Sequence, residues 1–375
     1  MINILIIGVF EGLFLAALLI AKRKKTISDK ILTTFFLIWA LNILLSYIEV
    51  INRRNGFPYP RFIFTAAPFL LLHGPILWLY IKSLTDQYFR IKSIYLLNLI
   101  PFVLMLLQHS IEIYSLPTVQ RINYVQAETF KNTFSYPFFL LLIAFSPVAY
   151  FLFGIKSIKN YEAKIEGYFS QTSGINLKWL KFILISWISI SVFINVFFIV
   201  DLFRPIAPFG IMQFFSFIVA AVYIIFIGFY GLRQDNIFLT RTIDLNLEKT
   251  IGQNIDTYSK ALNSGEKEFI QNLLTYMNDK KPFLQPEITL KALSDELNVT
   301  SEYLSEVIND DLNKNFFDFI NHYRVEEFKN QCKIDSNKHL NIIGIAFNCG
   351  FNSKATFNRV FKKVTGLTPS EYINS

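Results

Sequence analysis

The sequence predicts an all-α chain: a bundle of seven membrane-crossing helices, then a soluble helical region in which short helix, tight turn, short helix occurs twice. Three observations predict it. The chain has 375 residues, of which 53% are hydrophobic and 40 are Phe, more apolar side chain than a soluble protein of this length usually carries. Nearly all the long apolar runs lie before Gly231, so the composition shifts once along the chain. From Glu266 onward the apolar residues recur at amphipathic helical spacing instead. The expected organisation is a membrane domain over 1–230, a juxtamembrane linker over 231–265 and a soluble domain over 266–375.

The first apolar segment, 2–21, is long enough to cross a hydrocarbon core at about 1.5 Å per residue. A cleaved signal peptide carries its basic residues before the apolar stretch. Here Lys22, Arg23, Lys24 and Lys25 follow it, so it reads as a retained first membrane helix. Six more spans are expected at about 31–51, 61–84, 91–110, 136–156, 179–203 and 207–230. The fourth has the weakest pattern, because Pro101 interrupts it and Asn98, Gln108 and His109 lower its hydrophobicity.

Orientation follows from Lys and Arg in the short loops. The loop after the first span holds Lys22, Arg23, Lys24, Lys25 and Lys30. The loop after the third holds Arg90 and Lys92, and the loop after the fifth holds Lys156, Lys159, Lys164, Lys178 and Lys181. The alternate loops hold fewer: Arg53, Arg54 and Arg61, then Arg121 and Lys131, then Arg204. The richer set is expected in the cytoplasm. This places the N-terminus outside and the soluble domain inside, in an inner (cytoplasmic) membrane, and accounts for much of the +8 net charge.

Five polar residues fall inside the spans: Glu11, Glu49, His73, Asn195 and Gln213. Ionisable groups at membrane depth are costly and often functional, so Glu11 and His73 are the candidates for sensing a signal. Each has a structural alternative. Glu49 can reach the interface from a helix end, His73 precedes Gly74-Pro75 and can satisfy a carbonyl freed at a kink, and Asn195 and Gln213 can join helices by hydrogen bonds. No paired carboxylates, triad spacing or histidine-rich face point to catalysis, and no enzyme activity is expected. Four scattered His and two Cys give no zinc pattern, and no cofactor is expected. Cys332 and Cys349 imply no disulfide framework.

The linker ends at Ser264-Gly265. Phe269, Leu273, Leu274 and Met277 then form one apolar stripe, broken by Pro282 and Pro286. A helix follows with Leu290, Leu293 and Leu297 inward, then the turn Asn298-Val299-Thr300, then a helix from Ser301 with Tyr303, Leu304, Val307 and Ile308 inward. A longer helix runs from about Phe316 to Phe328. The pattern recurs: Ile342–Asn348, a turn at Cys349–Asn352 with Gly350 suited to a left-handed backbone, and a helix from Ser353. In that last helix Phe357, Val360, Phe361 and Val364 are expected inward, and Lys354, Asn358, Arg359 and Lys362 outward. These are two helix-turn-helix modules, at about 289–310 and 342–363.

The series Ile345-Ala346, Gly350-Phe351, Ser353, Phe357, Arg359, Phe361-Lys362, Gly366, Thr368-Pro369 and Tyr372 closely resembles the C-terminal signature of AraC/XylS-type transcription regulators. The likeness spans about the last hundred residues. Leu72-His73-Gly74-Pro75 and Tyr80 resemble, less specifically, the subgroup with an N-terminal seven-helix transmembrane sensor domain. The resemblance implies recognition helices entering successive major grooves of double-stranded DNA. It implies that Lys354, Thr356, Asn358 and Arg359 face bases or phosphates from the second module, and Glu302, Ser305 and Glu306 from the first. Arg359 can fork onto guanine and Glu can accept from cytosine N4. Ser353 is expected to cap its helix. Against DNA contact, Arg359 could instead form an intradomain salt bridge, but no acidic residue lies between Ser336 and Ser370. The first module departs from the family, because Glu302 and Glu306 repel phosphate.

The reading is a membrane-anchored, sequence-specific DNA-binding transcription regulator, a one-component signal transducer. Its expected partners are double-stranded DNA, the lipid bilayer and an unknown signal ligand, with a homodimer left open. The alternative is a seven-helix receptor or transporter with a cytoplasmic protein-interaction domain.

Overall fold

The computed structural model describes residues 3–86, 88–172, 175–233, 266–334 and 341–374. The expected linker lies almost wholly outside the described residues, as does the Ser264-Gly265 boundary. The fold is all-α, and among the described residues no β-strand forms. The chain divides into two compact units: 1–159 with 177–235, and 160–176 with 236–375.

The first unit is built from α1 (Asn3–Ala21), α2 (Ile27–Arg54), α3 (Leu70–Thr85), α4 (Ile100–His109), α5 (Thr118–Gln126), α6 (Ser135–Tyr168), α7 (Lys178–Phe203) and α8 (Phe209–Arg233). The final residues of α6, from 160, belong to the second unit. Six segments are long and apolar enough to cross a membrane: Asn3–Ala21, Ile27–Arg54, Pro60–Thr85, Ser93–Tyr114, Ser135–Tyr168 and Lys178–Phe203. The last expected span, in α8, is apolar over Phe209–Ile224, a shorter stretch than those six. The fourth is composite, a 3-10 stretch Ser93–Leu99, then α4, then a π turn Ser110–Tyr114. Pro101 sits in the first turn of α4, where its missing N–H leaves no helical bond unmade. The sequence pattern gave no sign of α5, a short helix between the fourth and fifth spans.

Local chemistry sets these boundaries. α2 begins at a capping box: Thr26 Oγ1 accepts the Asp29 N–H at 3.1 Å, and Asp29 Oδ2 accepts the Thr26 N–H at 2.7 Å. Lys22 closes on Asp29 at 3.0 Å, which ties the end of α1 to the start of α2. α1 packs closely because Gly8 and Gly12 present no side chain. A Cβ on Gly8 would lie 2.9 Å from the Ala221 Cβ, and one on Gly12 would lie 2.9 Å from the Ala40 Cβ. Small residues four apart let membrane helices approach where no hydrophobic force drives them together.

The second unit holds α9 (Glu266–Lys280), α10 (Leu290–Glu296), α11 (Ser301–Glu306, continued by a π turn Val307–Asp311), α12 (Phe316–Cys332), α13 (Ile342–Asn348), α14 (Lys354–Thr365) and α15 (Pro369–Asn374). It has two cores. One gathers Leu273, Met277, Leu290, Leu293, Leu304, Val307, Ile308, Phe316 and Ile320. The other gathers Phe317, Val325, Phe328, Ile345, Ala346, Phe351, Phe357, Val360 and Phe361. α12 contributes to both, so it is the shared wall between the two modules. Val364, expected inward, is instead 37% exposed. It lies in the last turn of α14, next to Gly366 (φ +80), where the chain turns away and no neighbour covers that stripe.

Candidate nucleic-acid interface

Each helix of the two modules starts at a side-chain cap. Thr289 accepts from Ala292 N at 3.1 Å, Thr300 from Tyr303 N at 3.2 Å, Asn341 from Gly344 N at 2.7 Å and Ser353 from Thr356 N at 3.4 Å. α12 starts in the same way, with Asn315 accepting from Asp318 N at 2.7 Å. Both turns close identically. Val299 N donates to Ser294 O at 3.0 Å across Asn298 (φ +55), and Phe351 N donates to Ala346 O at 3.2 Å across Gly350 (φ +91). Each is a helix end closed through one left-handed residue. In the first module the Ser294 and Ser301 hydroxyls also meet at 2.9 Å, which fixes the angle between α10 and α11.

α14 is the outward-facing element of the second module. Phe357, Val360 and Phe361 are buried beneath it, while Lys354, Asn358, Arg359 and Lys362 are exposed. Thr356 is only 7% exposed and lies on the core side of the helix. Arg359 forms no ion pair among the described residues; its guanidinium lies 5.4 Å above the Phe317 ring. Lys363 is held by both Asp318 oxygens at 2.7 Å. In the first module Glu302 and Glu306 are exposed on α11, and Ser305 is half-buried, accepting from Asn309 Nδ2 at 3.1 Å. The exposed faces of the two modules therefore differ in sign, basic on α14 and acidic on α11.

Sequence reasoning missed the residue that joins the modules. Arg324 is completely buried at the centre of α12. Its Nε donates to Phe283 O at 2.7 Å, and its Nη2 donates to Gln285 O at 2.7 Å and Pro286 O at 3.1 Å. The guanidinium plane faces the Phe351 ring, 5.8 Å from its centre, just after the second turn. Ser170 sits beside it, accepting from Nη2 at 3.3 Å, with Asn321 Nδ2 donating to Ser170 O at 3.1 Å. One side chain thus satisfies the 283–286 loop of the first module and packs on the turn of the second. Burial pushes the Arg324 pKa down to about 10, so it stays charged at neutral pH. Its spacing from Phe317, Ile320 and Phe328 was the available signal, since those neighbours all face inward.

The candidate sensing residues lie in the first unit. Glu11 is half-buried and has no hydrogen-bond partner among the described residues. His73 is buried in α3, which continues through Pro75, and Tyr80 is buried a further two turns on. The His73 ring stacks on Trp39 at 4.6 Å and 9° instead of meeting a carbonyl. Glu49 does not reach the interface. It is 4% exposed and accepts from Gln213 Nε2 at 2.7 Å and Ala66 N at 3.1 Å. Gln213 therefore does join helices, whereas Asn195 donates back within its own helix, to Ser191 O at 2.8 Å. Among the described residues no cluster of His, Cys, Asp and Glu could hold a metal ion.

Residues 293–375 match the family described as "Helix-turn-helix domain". This is the stretch from the middle of α10 to the last residue, and it takes in both turns, which supports a DNA-binding transcription regulator. The domain is of the AraC type. A solved structure of a protein of unknown function from Listeria innocua is 31% identical, covering 28% of this chain and 94% of that one, with a TM-score of 0.25. No curated protein sequence matches the chain.

Proposed function

We propose that the chain is a membrane-anchored, sequence-specific one-component regulator, in which the N-terminal bundle receives a signal and the two-module domain reads double-stranded DNA. The observation that carries this reading is α14. It is a capped helix with an aromatic underside, a cation-bearing outer face and no acidic residue nearby in sequence, standing directly after a helix-turn-helix turn. Arg359 fits a guanine edge because its planar fork matches O6 and N7 together, and the Phe317 ring beneath it limits its rotamers. Lys354, at the helix start, suits a phosphate. Asn358 lies on the same face, whereas Thr356 is buried on the core side of the helix and is not a contact. Glu302 and Glu306 make α11 a poor phosphate binder, and with Ser305 they fit cytosine-edge contacts if α11 enters a groove at all.

The domain boundaries proposed are 1–230, 231–265 and 266–375. The N-terminus lies outside and the C-terminal domain in the cytoplasm, as the loop lysines and arginines require. The test has two arms. Reporter fusions at residue 265 should be active only as cytoplasmic reporters; activity solely outside the membrane contradicts the reading. A binding series on operator variants should show Arg359→Ala weakening binding by about 1–3 kcal/mol and relaxing preference at one position. Lys354→Ala should weaken all sequences alike and lower the salt slope by about 1. An Arg359→Ala domain that stays folded and keeps both affinity and base preference removes Arg359 as a reader.

A further inference from the structure

The first unit holds a partly open cavity of about 240 Å³, lined by α2, α3, α4, α6, α7 and α8 and, through Tyr124 and Phe130, by the segment between α4 and α6. That is about the liquid volume of eight waters, room for one small organic molecule. Its walls are chiefly apolar and aromatic. Most lining residues fall in the second halves of α2, α4 and α7 and the first halves of α3, α6 and α8, with Trp39, Trp187, Ile190 and Tyr223 nearer mid-helix, so the cavity runs from the middle of the bundle toward the end that carries the N-terminus.

Buried polar atoms without partners are rare in folded proteins, because each costs the desolvation it is not repaid for. Among the described residues five side-chain atoms are of this kind, and four belong to this cavity: Trp39 Nε1, His73 Nε2, Gln108 Oε1 and Tyr136 OH. Three of them mark two poles; Tyr136 OH stands apart, beside Phe130 and Phe209 and within electrostatic reach of Asp201 and Glu128. One is the Trp39–His73 stack, with the two residues 4% and 7% exposed. The other surrounds Glu112. Its Oε2 accepts from Gln108 Nε2 at 2.9 Å and from Ser135 Oγ at 2.7 Å. The carboxylate thereby fixes which way the Gln108 amide points and leaves that amide oxygen without a donor.

Charge decides what belongs at the Glu112 pole. The other acids toward this end of the bundle have basic neighbours. Asp201 pairs with Lys131 at 2.7 Å, and Glu49 has Arg53 within electrostatic reach. Glu112 forms no ion pair among the described residues; its basic neighbour is His109, one turn earlier, whose Nδ1 is taken up by Met105 O at 2.9 Å. A carboxylate beside an amide oxygen that has no donor calls for a donor-rich cation. An anion would be repelled, and a neutral group would leave the carboxylate's charge unmatched in apolar surroundings.

We propose that this cavity binds a small protonated amine, its ammonium held by Glu112 and Gln108 and its aryl or alkyl tail lying along the apolar and aromatic wall. The proposal names the signal class for the sensing half of the proposed regulator, and in that respect rests on that reading. Binding itself does not depend on it, and the test separates the two.

The experiment uses the full chain in lipid nanodiscs. The probes are phenethylamine and hexylamine, each against its matched alcohol and carboxylate, read by thermal shift and by Trp fluorescence. The amines should bind saturably and at least about tenfold more tightly than the alcohols, with the carboxylates weaker still. Glu112→Gln keeps an oxygen acceptor for Gln108 and Ser135 but removes the charge, and should erase the amine-over-alcohol preference. A wild-type preference below about tenfold overturns the proposal whatever the variant does. So does a folded Glu112→Gln protein that discriminates as wild type does. If the amines bind with the stated preference while DNA binding by the same nanodiscs is unchanged at saturation, the site stands and the sensor reading falls.

Discussion

Removing the donors of Arg324 tests how the two modules are held together. Arg324→Met keeps most of the apolar stem and loses every N–H. Three backbone carbonyls, of Phe283, Gln285 and Pro286, then lose donors that now stand at 2.7, 2.7 and 3.1 Å. An orphaned buried acceptor costs about 1–3 kcal/mol, so three of them cost about 3 kcal/mol at the low end and about 5 kcal/mol where the loop cannot relax. The lower end applies if the 283–286 loop can open to water. With an m-value of roughly 1.5 kcal/mol/M for so small a domain, the urea midpoint should fall by roughly 2–3 M. The assay is urea unfolding of residues 266–375, followed by circular dichroism. Arg324→Lys should fall between wild type and Met, because one ammonium cannot match a planar fork spread over three carbonyls. A Met variant with the wild-type midpoint, or a Lys variant as stable as wild type, refutes the assignment of Arg324 as the joint.

Other outcomes follow from the same domain. Gly350→Ala should destabilise it by at least about 2 kcal/mol in the same assay, since φ +91 disfavours any side chain and a Cβ there would overlap the Phe283 carbonyl oxygen. Burial raises the Glu327 pKa, but hydrogen bonds from Gln331 and Lys281 outweigh it and hold the carboxyl below the ordinary range. Its contribution is therefore present above the unfolded value of about 4.3 and lost as pH falls through the folded one; Glu327→Gln should be less stable at pH 7, and the gap in melting temperature should close on acidification. Cys349, completely buried and pushed up to about 12 by burial, should resist alkylation at pH 8 until the domain unfolds, while half-buried Cys332 reacts first, as peptide mass mapping would show. Phe357→Ala should cost about 3–5 kcal/mol in a thermal melt, and so serves as the folding control for the DNA-reading variants.

Much of this architecture is legible in the sequence, because membrane spans and amphipathic helices are written in local periodicity. In the second module Ile342–Asn348 is a helix over the expected residues, and Gly350 takes the left-handed turn. What escaped was set by contacts between distant positions. Arg324 looks like a surface charge in a helix, and only the 283–286 carbonyls, some forty residues earlier, make it a core residue. Glu49 looks like an interfacial residue until Gln213, far along the chain, reaches it. Val364 continues the helical apolar stripe yet lies beyond the edge of the core. The cavity around Glu112 has no linear signature, since its lining comes from six helices and the α4–α6 segment. Residues 160–176 read as a basic loop, yet Ser170 hydrogen-bonds Ile288 O at 2.7 Å within the second unit.

The central claim, that the C-terminal domain reads specific DNA through paired modules, is tested most directly by nuclease footprinting of free residues 266–375 on genomic fragments. The account predicts a discrete protected site whose strongest half is lost with Arg359→Ala, and, if α11 also enters a groove, a second contact about 10 base pairs away. Protection that is weak, uniform along every fragment and abolished by moderate salt would contradict it.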